Sequence, residues 1–465
     1  MSEFPFQLLI KHTSSANEEE ALWCTALLRV IPGRRQVYDA LWNNRSVIVK
    51  VFSHKTNARH HLKREWQGLN ELQSRGLSAP EPLFYGRTED GRWTAVLEKI
   101  VDSSTVLDAL NETTPKRQKR NVLMRVCKEL AKQHSKGVLQ KDLHLGNYLL
   151  RGDKIYVLDP SQMQFFSGQI PRKKSISQLA LLASCLPAGD MESAKAIWSN
   201  YFKARGWHFG TSDELLLQSQ LIVQTKRGIK RGLKKCLRTS KRQVQIKAGR
   251  YAAVFDRDFS RGAEPLDLIE QIDALMDKGQ ILKNGNTCYV SRLKWNDKDV
   301  VVKRYNHKGW IHSLRHTIKS SRARRAWLHA HRLAMLQIPT PKPLAYIEQR
   351  KGPLLWKCYL VTEHVQGQKL YYFLRDRRVT EAERSAATRQ VVEMLENIGK
   401  YKISHGDLKH SNILITDHGP TITDLDGMKV HRWSWAYKAR RTKDIARLTR
   451  GASGEYAGLD RSEAP

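Results

Sequence analysis

The stretch Ile403–Met428, I-S-H-G-D-L-K-H-S-N-I-L-I-T-D-H-G-P-T-I-T-D-L-D-G-M, places three polar side chains around two short apolar segments. Asn412 follows Asp407 by five residues, and Asp424 follows it by seventeen. An aspartate in a loop can accept the proton of an attacking hydroxyl group, and an Asn–Asp pair can hold Mg²⁺ against phosphates. The spacing predicts phosphoryl transfer, with Asp407 as catalytic base and Asn412 and Asp424 as metal ligands. A polar hairpin between two strands is the structural alternative.

The residue order within this stretch and the residues upstream of it favour phosphoryl transfer. The order H-x-D-x-x-x-x-N followed by D is that of a protein-kinase catalytic loop, with D-L-D at 424–426 where D-F-G usually stands. Lys303 lies on a predicted strand, V-V-V-K-R-Y, as does the lysine that binds the ATP phosphates in kinases. The strand Y-L-V-T-E-H-V contains Glu363, where a kinase hinge would lie.

The first half of the chain repeats these elements in the same order. Asp142 is its predicted catalytic aspartate, and Asn147 and Asp159 follow at the same offsets of five and seventeen residues as predicted metal ligands. Lys50, in V-I-V-K-V-F, corresponds to Lys303. The predicted nucleotide-binding set of this repeat has two further members, Glu65 and Glu98.

The two glutamates of that set have different predicted places. Glu65 lies in a helical run, 58–75, where it can pair with Lys50 and orient it. Glu98 ends the strand W-T-A-V-L-E and corresponds to Glu363. A lysine or glutamate at any one of these positions would be unremarkable on a solvated surface, so the prediction depends on their common order.

The repeat predicts an α+β fold made of two tandem protein-kinase-like domains. Each would have a small antiparallel β N-lobe and a helical C-lobe. A chain of 465 residues is too long for one ordinary core, which agrees with two domains. We expect the first domain at 1–240, ending in a basic amphipathic helix. The second is expected at 241–450 with a short C-lobe, followed by a flexible tail at 451–465.

Composition narrows the choice of partners. The chain has 80 Lys and Arg against 46 Asp and Glu, a net charge of +34, which favours anionic partners such as nucleic acid, anionic lipid or a phosphorylated glycolipid. The six cysteines are far apart and form no C-x-x-C pair, so a reducing cytoplasm is expected rather than a zinc or disulfide framework. No signal peptide is recognisable, and the longest apolar run, near 179–186, is too short to cross a bilayer. Membrane association would therefore be peripheral.

Two strongly basic segments carry this charge. In 226–247 the cations recur at helical spacing with an apolar face opposite, which is typical either of a helix on an anionic membrane or of a final domain helix docked by its apolar side. In 303–332 aromatic and aliphatic residues alternate with cations, which suits anionic lipid or a phosphorylated sugar but also an Arg-rich surface helix without a ligand. No nucleic-acid-binding motif accompanies the charge, so no specific nucleic acid is expected.

The second repeat resembles the bacterial lipopolysaccharide kinases, the Kdo/heptose kinase (WaaP-like) family of the protein-kinase superfamily. The resemblance rests on V-V-V-K-R-Y, I-P-T-P-K-P-L-A, H-G-D-L-K-H-S-N-I-L-I and T-D-L-D-G-M-K, and it extends more loosely over about residues 30–450. It implies ATP and Mg²⁺, a heptose or Kdo acceptor in the lipopolysaccharide core or lipid A–core, and a place at the cytoplasmic face of the inner membrane of a Gram-negative bacterium.

Departures from the pattern keep other functions open. Gln140 stands where the second repeat has His405, and Gln178 stands where that repeat has Asp444. Ala326 stands opposite Glu65, and neither repeat has a full G-x-G-x-x-G, the nearest being K-N-G-N-T at 283–287. The second repeat is favoured as the active one. The alternatives are a pseudokinase or scaffold that binds lipopolysaccharide or a partner enzyme, and a protein Ser/Thr/Tyr kinase with the same catalytic residues.

Overall fold

The computed structural model describes residues 4–12, 19–53, 57–111, 116–141, 143–186, 190–262, 264–306, 320–352 and 354–450. The predicted base Asp142, residues 307–319 of the second basic segment and the predicted tail lie outside these ranges. The chain forms two compact units, 1–186 with 190–221 and 187–189 with 222–465.

The first unit begins with a closed antiparallel barrel in the strand order β1-β2-β3-β4-β6-β5. Helix α1 (Ala58–Ser74) joins β4 to β5. The strands are β1 (Phe6–His12), β2 (Glu19–Ile31), β3 (Arg35–Trp42), β4 (Arg45–Phe52), β5 (Pro82–Thr88) and β6 (Trp93–Glu98).

Helices and short strand pairs follow the barrel and enclose the larger core of this unit. The helices are α2 (Val106–Asn111), α3 (Lys116–Ser135), α4 (Arg172–Ala183) and α5 (Met191–Ala204), followed by α6 (Thr211–Lys235), whose residues from Ile222 onward belong to the second unit. The strands are β7 (Ser104–Thr105), β8 (Val138–Gln140), β9 (Tyr148–Arg151), β10 (Lys154–Val157) and β11 (Met163–Phe165). Large fully buried side chains, among them Trp198, Tyr148 and Phe202, fill this core.

The second unit contains a seven-stranded antiparallel sheet in the order β12-β13-β17-β18-β16-β15-β14. Helices α7 (Pro265–Lys278) and α8 (Arg322–Met335) belong to this part of the unit. The strands are β12 (Gln243–Ala248), β13 (Tyr251–Asp256), β14 (Gln280–Gly285), β15 (Cys288–Trp295), β16 (Lys298–Tyr305), β17 (Pro343–Lys351) and β18 (Leu354–Glu363).

A helical part with three short strand pairings completes the second unit. Its helices are α9 (Leu370–Phe373), α10 (Glu381–Lys400) and α11 (Ser434–Thr449). Its strands are β19 (Gln368–Lys369), β20 (Ile403–Ser404), β21 (Ile413–Thr416), β22 (Gly419–Ile422) and β23 (Lys429–Val430). The α+β class is thus confirmed, whereas the two-lobed tandem arrangement stays a prediction.

The same kind of hairpin presents the candidate lysine in each unit. β3 and β4 meet at Asn43-Asn44, with φ of 47° and 62°, and β15 and β16 meet at Asn296-Asp297, with φ of 50° and 58°. Asn and Asp tolerate this left-handed conformation, which two-residue hairpin turns require. The tight turn fixes the register, so Val49 and Val51 face the barrel core and Lys50 faces the other side.

Helix α6 resolves part of the ambiguity over the first basic segment. Ile229 is buried in the second unit, and Ile222 and Leu233 pack against the same core. The cations of the segment, from Lys226 to Arg238, remain exposed. The apolar side of this helix is therefore already covered by protein, and its contribution to binding would come from charge alone. None of the helices in the described ranges has the length and apolarity needed to span a bilayer.

Burial of His134 makes the stability of the first unit sensitive to acid. Its Nδ1 lies 2.5 Å from the Tyr201 hydroxyl and its Nε2 2.8 Å from Gln178 Oε1, a pair of contacts that a neutral imidazole satisfies. Burial lowers the pKa of His134 from 6.5 to about 4. The folded chain thus excludes a proton that the unfolded chain binds. The stabilisation is complete above pH 6.5 and is lost as the pH falls towards 4.

We expect His134→Gln to lose less melting temperature than the wild type between pH 7 and pH 5, measured by circular dichroism. One proton corresponds to a slope of about 1.4 kcal/mol per pH unit within this window. The exposed His208 provides the control, since His208→Gln should keep the wild-type dependence. Equal losses in His134→Gln and the wild type would contradict the assignment.

Candidate active site

The three candidate residues of the second unit are held together by hydrogen bonds to backbone carbonyl oxygens. Asn412 closes a 3₁₀ turn at His410–Asn412, and its Nδ2 donates to the Asp407 carbonyl oxygen at 2.8 Å. The Thr423 amide donates to the Asn412 carbonyl oxygen at 2.9 Å, which brings the neighbouring Asp424 to the same place. The hairpin β21–β22 therefore returns the chain so that one loop contains the predicted base and both predicted metal ligands.

Asp424 and its counterpart Asp159 share an uncommon backbone conformation. Their φ angles are 59° and 57°, in the left-handed region, and each is followed by a 3₁₀ turn. Such a conformation is infrequent for a residue other than glycine and concentrates at functional sites. Its recurrence at the residue predicted from spacing alone supports the equivalence of the two loops.

The loop before Asp407 is braced from helix α11. Asp444, which is buried, accepts hydrogen bonds from the amides of His405 at 2.8 Å and Gly406 at 3.0 Å. Gly406 has a φ of +88°, and a Cβ there would lie 2.3 Å from the Gly427 carbonyl oxygen. Both backbone conformation and space therefore require glycine. His405 Nε2 contacts the Thr423 carbonyl oxygen at 2.9 Å, which ties the loop to the residue before Asp424.

Asp407 itself remains accessible. Its side chain is 47% exposed, with Lys409 Nζ at 3.0 Å and Arg447 at 3.8 Å. An exposed carboxylate can meet the hydroxyl group of a large acceptor, and the flanking cations favour an anionic substrate.

Lys303 is neutralised by two aspartates of the D-L-D sequence. Its Nζ pairs with Asp424 and lies 3.5 Å from Asp426, and Arg322 Nε donates to the other oxygen of Asp426 at 2.9 Å. Burial lowers the pKa of Lys303, but the charges of Asp426 and Asp424 outweigh this and raise it. Burial has the opposite effect on Asp424 and would raise its pKa. Contact with the Asp426 carboxyl group and with Lys303 nevertheless holds this pKa well below its usual range. Both groups of the pair are thereby kept charged.

In the first unit the lysine pairs with a helix glutamate. Lys50 forms an ion pair with Glu65 of α1, and Arg35 bridges Glu65 at 2.8 Å and Asp159 at 2.7 Å. Burial alone would raise the pKa of Asp159. The charges of Lys50 and Arg35 outweigh this effect, so the pKa lies below its usual value. Asp159 Oδ1 is buried and has no hydrogen-bond partner among the described residues, which leaves it suited to a cation.

The two networks contain the same numbers of cations and carboxylates, but the helix supplies a side chain of opposite charge in each. Each contains two cations and two carboxylates. In the first unit the helix supplies the anion Glu65, whereas in the second Ala326 is buried and Arg322, one turn earlier on α8, supplies a cation. Asp426 takes the carboxylate place that Ala326 cannot fill.

Sequence reasoning missed Arg35, Arg322 and Asp426. Asp426, the third residue of D-L-D, could have been recognised from the sequence. The usual D-F-G has glycine at this position, so a second carboxylate there is a departure from the pattern. Arg35 and Arg322 carried no such signal, since an arginine at the start of a strand or helix is common on protein surfaces.

The catalytic loop of the first unit is braced differently. Gln178 Nε2 donates to the Gln140 carbonyl oxygen, and Gln140 Nε2 donates to Gln133 at 2.8 Å and to the Tyr148 hydroxyl at 2.7 Å. A neutral amide network therefore occupies the place where Asp444 receives two amide hydrogen bonds. His144 stands where the second unit has Lys409 and accepts from the Gly146 amide at 3.0 Å. Asn147 ends the equivalent 3₁₀ turn, Leu145–Asn147.

The predicted hinge residues have equivalent places. Glu98 ends β6 opposite Val47, and Glu363 ends β18 opposite Val300. Their nucleotide-binding role stays a prediction. Gly285 has an ordinary backbone, and an added Cβ would lie 3.5 Å from the nearest atom, so it gives no sign of a phosphate cradle.

The candidate metal ligands Asn412 and Asp424 fit Mg²⁺ better than they fit a metal ion held by protein side chains alone. Within the described part of the chain, no group of three or more His, Cys, Asp or Glu side chains is placed to hold a metal ion. Mg²⁺ is commonly held by one or two protein oxygens together with substrate phosphates. The Asn412 amide donates through Nδ2 and leaves Oδ1 as its metal-binding atom, and Asp424 is kept ionised, so both residues suit this ion.

A strand lysine paired with a carboxylate, an Asp–Asn loop and a left-handed aspartate after a short hairpin define the site of a kinase-like phosphotransferase. The model of the lipopolysaccharide kinase (Kdo/WaaP) family matches residues 33–180 and 273–461, more than half of the chain. The chain belongs to this family, and the two separate matches are consistent with a tandem duplication. Comparison with curated proteins gave no match.

We expect Asp426→Asn to weaken Mg-ATP binding by about tenfold or more, because a hydrogen bond to a charged group contributes about 1.5–3 kcal/mol. The dissociation constant would be measured by calorimetry in the Lys50→Met background, which removes the first unit's lysine. Asp376→Asn is the matched control, since Asp376 is paired with Arg378 elsewhere in the same unit. An unchanged constant in Asp426→Asn would contradict the lysine-positioning role.

Proposed function

We propose that the protein is an ATP-dependent kinase that phosphorylates a sugar, heptose or Kdo, of the lipopolysaccharide inner core. Family membership supports a lipopolysaccharide kinase, and the second unit is our candidate for the reaction. The observation that carries this choice is its complete loop, in which an accessible Asp407 is tied to Asn412 and Asp424 and braced by Asp444.

In the proposed mechanism Asp407 accepts the proton of the acceptor hydroxyl group. Lys303 binds the nucleotide phosphates, with Asp426 and Arg322 fixing its position. When bound by Asn412 and Asp424, Mg²⁺ would neutralise the charge of the phosphates. Lys409 and Arg447 lie beside Asp407, where they can attract an acceptor that already carries phosphate groups.

The charge of the chain supports an acceptor embedded in an anionic surface. A net charge of +34 raises the local concentration of a phosphate-rich lipopolysaccharide core. We place the protein peripherally on the cytoplasmic face of the inner membrane. Exposed charges are screened over about 10 Å at 0.1 M salt, so transfer to lipopolysaccharide should weaken as salt rises.

The first unit supports a second candidate function, nucleotide or lipopolysaccharide binding without chemistry. Arg35 occupies Glu65 and Asp159 together, and a neutral amide network replaces the Asp444 brace. The test is a thermal-shift assay of the Lys303→Met variant, which retains only the first unit's lysine, with millimolar Mg-ATP. A rise in melting temperature would show that the first unit binds nucleotide, and an unchanged melting temperature would favour a scaffold that binds none.

We expect Asp407→Ala to abolish transfer of labelled phosphate from ATP to purified lipopolysaccharide, because general-base catalysis alone contributes about 10²–10⁴-fold. Asp142→Ala tests the first unit separately. Asp417→Ala and Asp153→Ala are the matched controls, since both are exposed aspartates in the turns of the equivalent hairpins. Mass spectrometry of the core oligosaccharide would locate the phosphate on heptose or Kdo.

Full transfer in both Asp407→Ala and Asp142→Ala would overturn the mechanism. Transfer to a protein side chain, with none to lipopolysaccharide, would instead favour the protein-kinase alternative.

A further inference from the structure

The last part of the described chain, Lys429–Arg450, has an extreme charge balance. It contains eight lysines and arginines and a single carboxylate, Asp444. That carboxylate is buried and occupied by the amides of His405 and Gly406. The charged side chains that the segment exposes are therefore all cationic. Among the described residues, no carboxylate forms an ion pair with Lys429, Arg432, Lys438 or Lys443.

Large apolar side chains protrude from the same segment. Trp435 is 72% exposed, Trp433 is 55% exposed and Val430 is 48% exposed. The Arg432 guanidinium lies over the Trp433 ring at 4.8 Å. Trp435 is the most exposed of these side chains, and burial of so large a ring would ordinarily stabilise a folded chain. We call Lys429, Val430, Arg432, Trp433, Trp435 and Lys438 the 429–438 surface.

Helix α11 presents part of this surface along one side. Trp435, Lys438 and Thr442 recur at helical spacing and are exposed, whereas Asp444 and Leu448 on the opposite side are buried. The buried side holds the helix to the second unit. The exposed side has no protein partner among the residues that the structure describes.

The 429–438 surface is joined directly to the catalytic loop. β23 pairs with β20, with Val430 opposite Ile403 and Lys429 opposite Ser404. From α11, Arg447 donates to the Gly406 carbonyl oxygen at 2.6 Å. A ligand that fixes this surface thus fixes the backbone immediately before Asp407.

We propose that the 429–438 surface docks on the headgroup region of an anionic lipid bilayer and holds the Asp407 loop at the membrane. The inference rests on the proposed function, because it supplies the surface by which that kinase meets a lipid-linked acceptor. Tryptophan is the residue best suited to the interface between headgroups and acyl chains, and flanking lysines and arginines are attracted to anionic lipids.

Lipid explains the observations better than nucleic acid does. A single strand would require rings that stack bases along a groove. Here Trp433 is already covered on one face by Arg432, and Val430 offers no face for stacking. An aliphatic side chain beside two tryptophans is instead the composition of an interfacial anchor.

The experiment is co-sedimentation of the full chain with vesicles of two parts phosphatidylcholine to one part phosphatidylglycerol, without ATP. We expect the Trp433→Ser/Trp435→Ser variant to lose vesicle binding by about tenfold, and Arg432→Glu/Lys438→Glu by a similar factor, since each cation near such a surface contributes several-fold. Trp23→Ser is the matched control for the first, because Trp23 is 51% exposed on β2. Lys128→Glu/Lys203→Glu matches the charge change of the second. Circular dichroism would verify that each variant is folded.

Two outcomes would overturn the proposal. One is vesicle binding by both surface variants that equals binding by their controls. The other is loss of binding to a single-stranded oligonucleotide, with vesicle binding intact. Because no ATP is present, Asp407→Ala should bind vesicles as the wild type does. Absence of phosphate transfer by the wild-type protein, with its vesicle binding intact, would contradict the proposed function alone.

Discussion

A lysine ammonium on a central strand of each sheet must be kept charged although most of its surface is buried. Lys50 and Lys303 are only 13% and 15% exposed. An uncompensated charge at such a position would cost about 3–5 kcal/mol, so each sheet needs carboxylates beside its lysine. In both units those carboxylates come from the elements that complete the candidate site. The requirement to neutralise one ammonium thus joins the strand, the helix and the loop after the short hairpin.

The two units meet this requirement with opposite helix chemistry. Where α1 offers Glu65, the loop aspartate Asp159 is held by Arg35, and the lysine has a partner outside the loop. Where α8 offers Arg322, the loop must supply both carboxylates. The second lysine is therefore bound to the same loop that carries Asp424, and its position follows that of the loop. Absence of a helix glutamate is consequently weak grounds for calling the second unit inactive.

Sequence predicted what depends on local spacing. Asn412 and Asp424 meet Asp407 because a short hairpin with a fixed register returns the chain, and the offsets encode that hairpin. The Lys50–Glu65 pair was also predictable, since a strand lysine and a helix glutamate recur in that order. Arg35, Arg322 and Asp426 were not, because their contacts join residues far apart in the chain and an arginine's reach gives no periodic signal. The core against which the basic part of helix α6 packs could not be predicted either. An apolar face indicates that a helix packs against protein, but not which core it contacts.

The bracing of the two candidate catalytic loops differs in charge. Asp444 receives amide hydrogen bonds from the two residues before Asp407, and hydrogen bonds to an ionised acceptor are stronger and shorter than neutral ones. Gln178 instead gives one hydrogen bond to a carbonyl oxygen, within a network of neutral amides and a phenol. A loop that must hold a base against a reacting hydroxyl gains from the charged brace. A loop that only binds does not need it, because small displacements cost little when no proton is transferred. The brace, rather than the catalytic triplet itself, is therefore the feature that most clearly separates the two units.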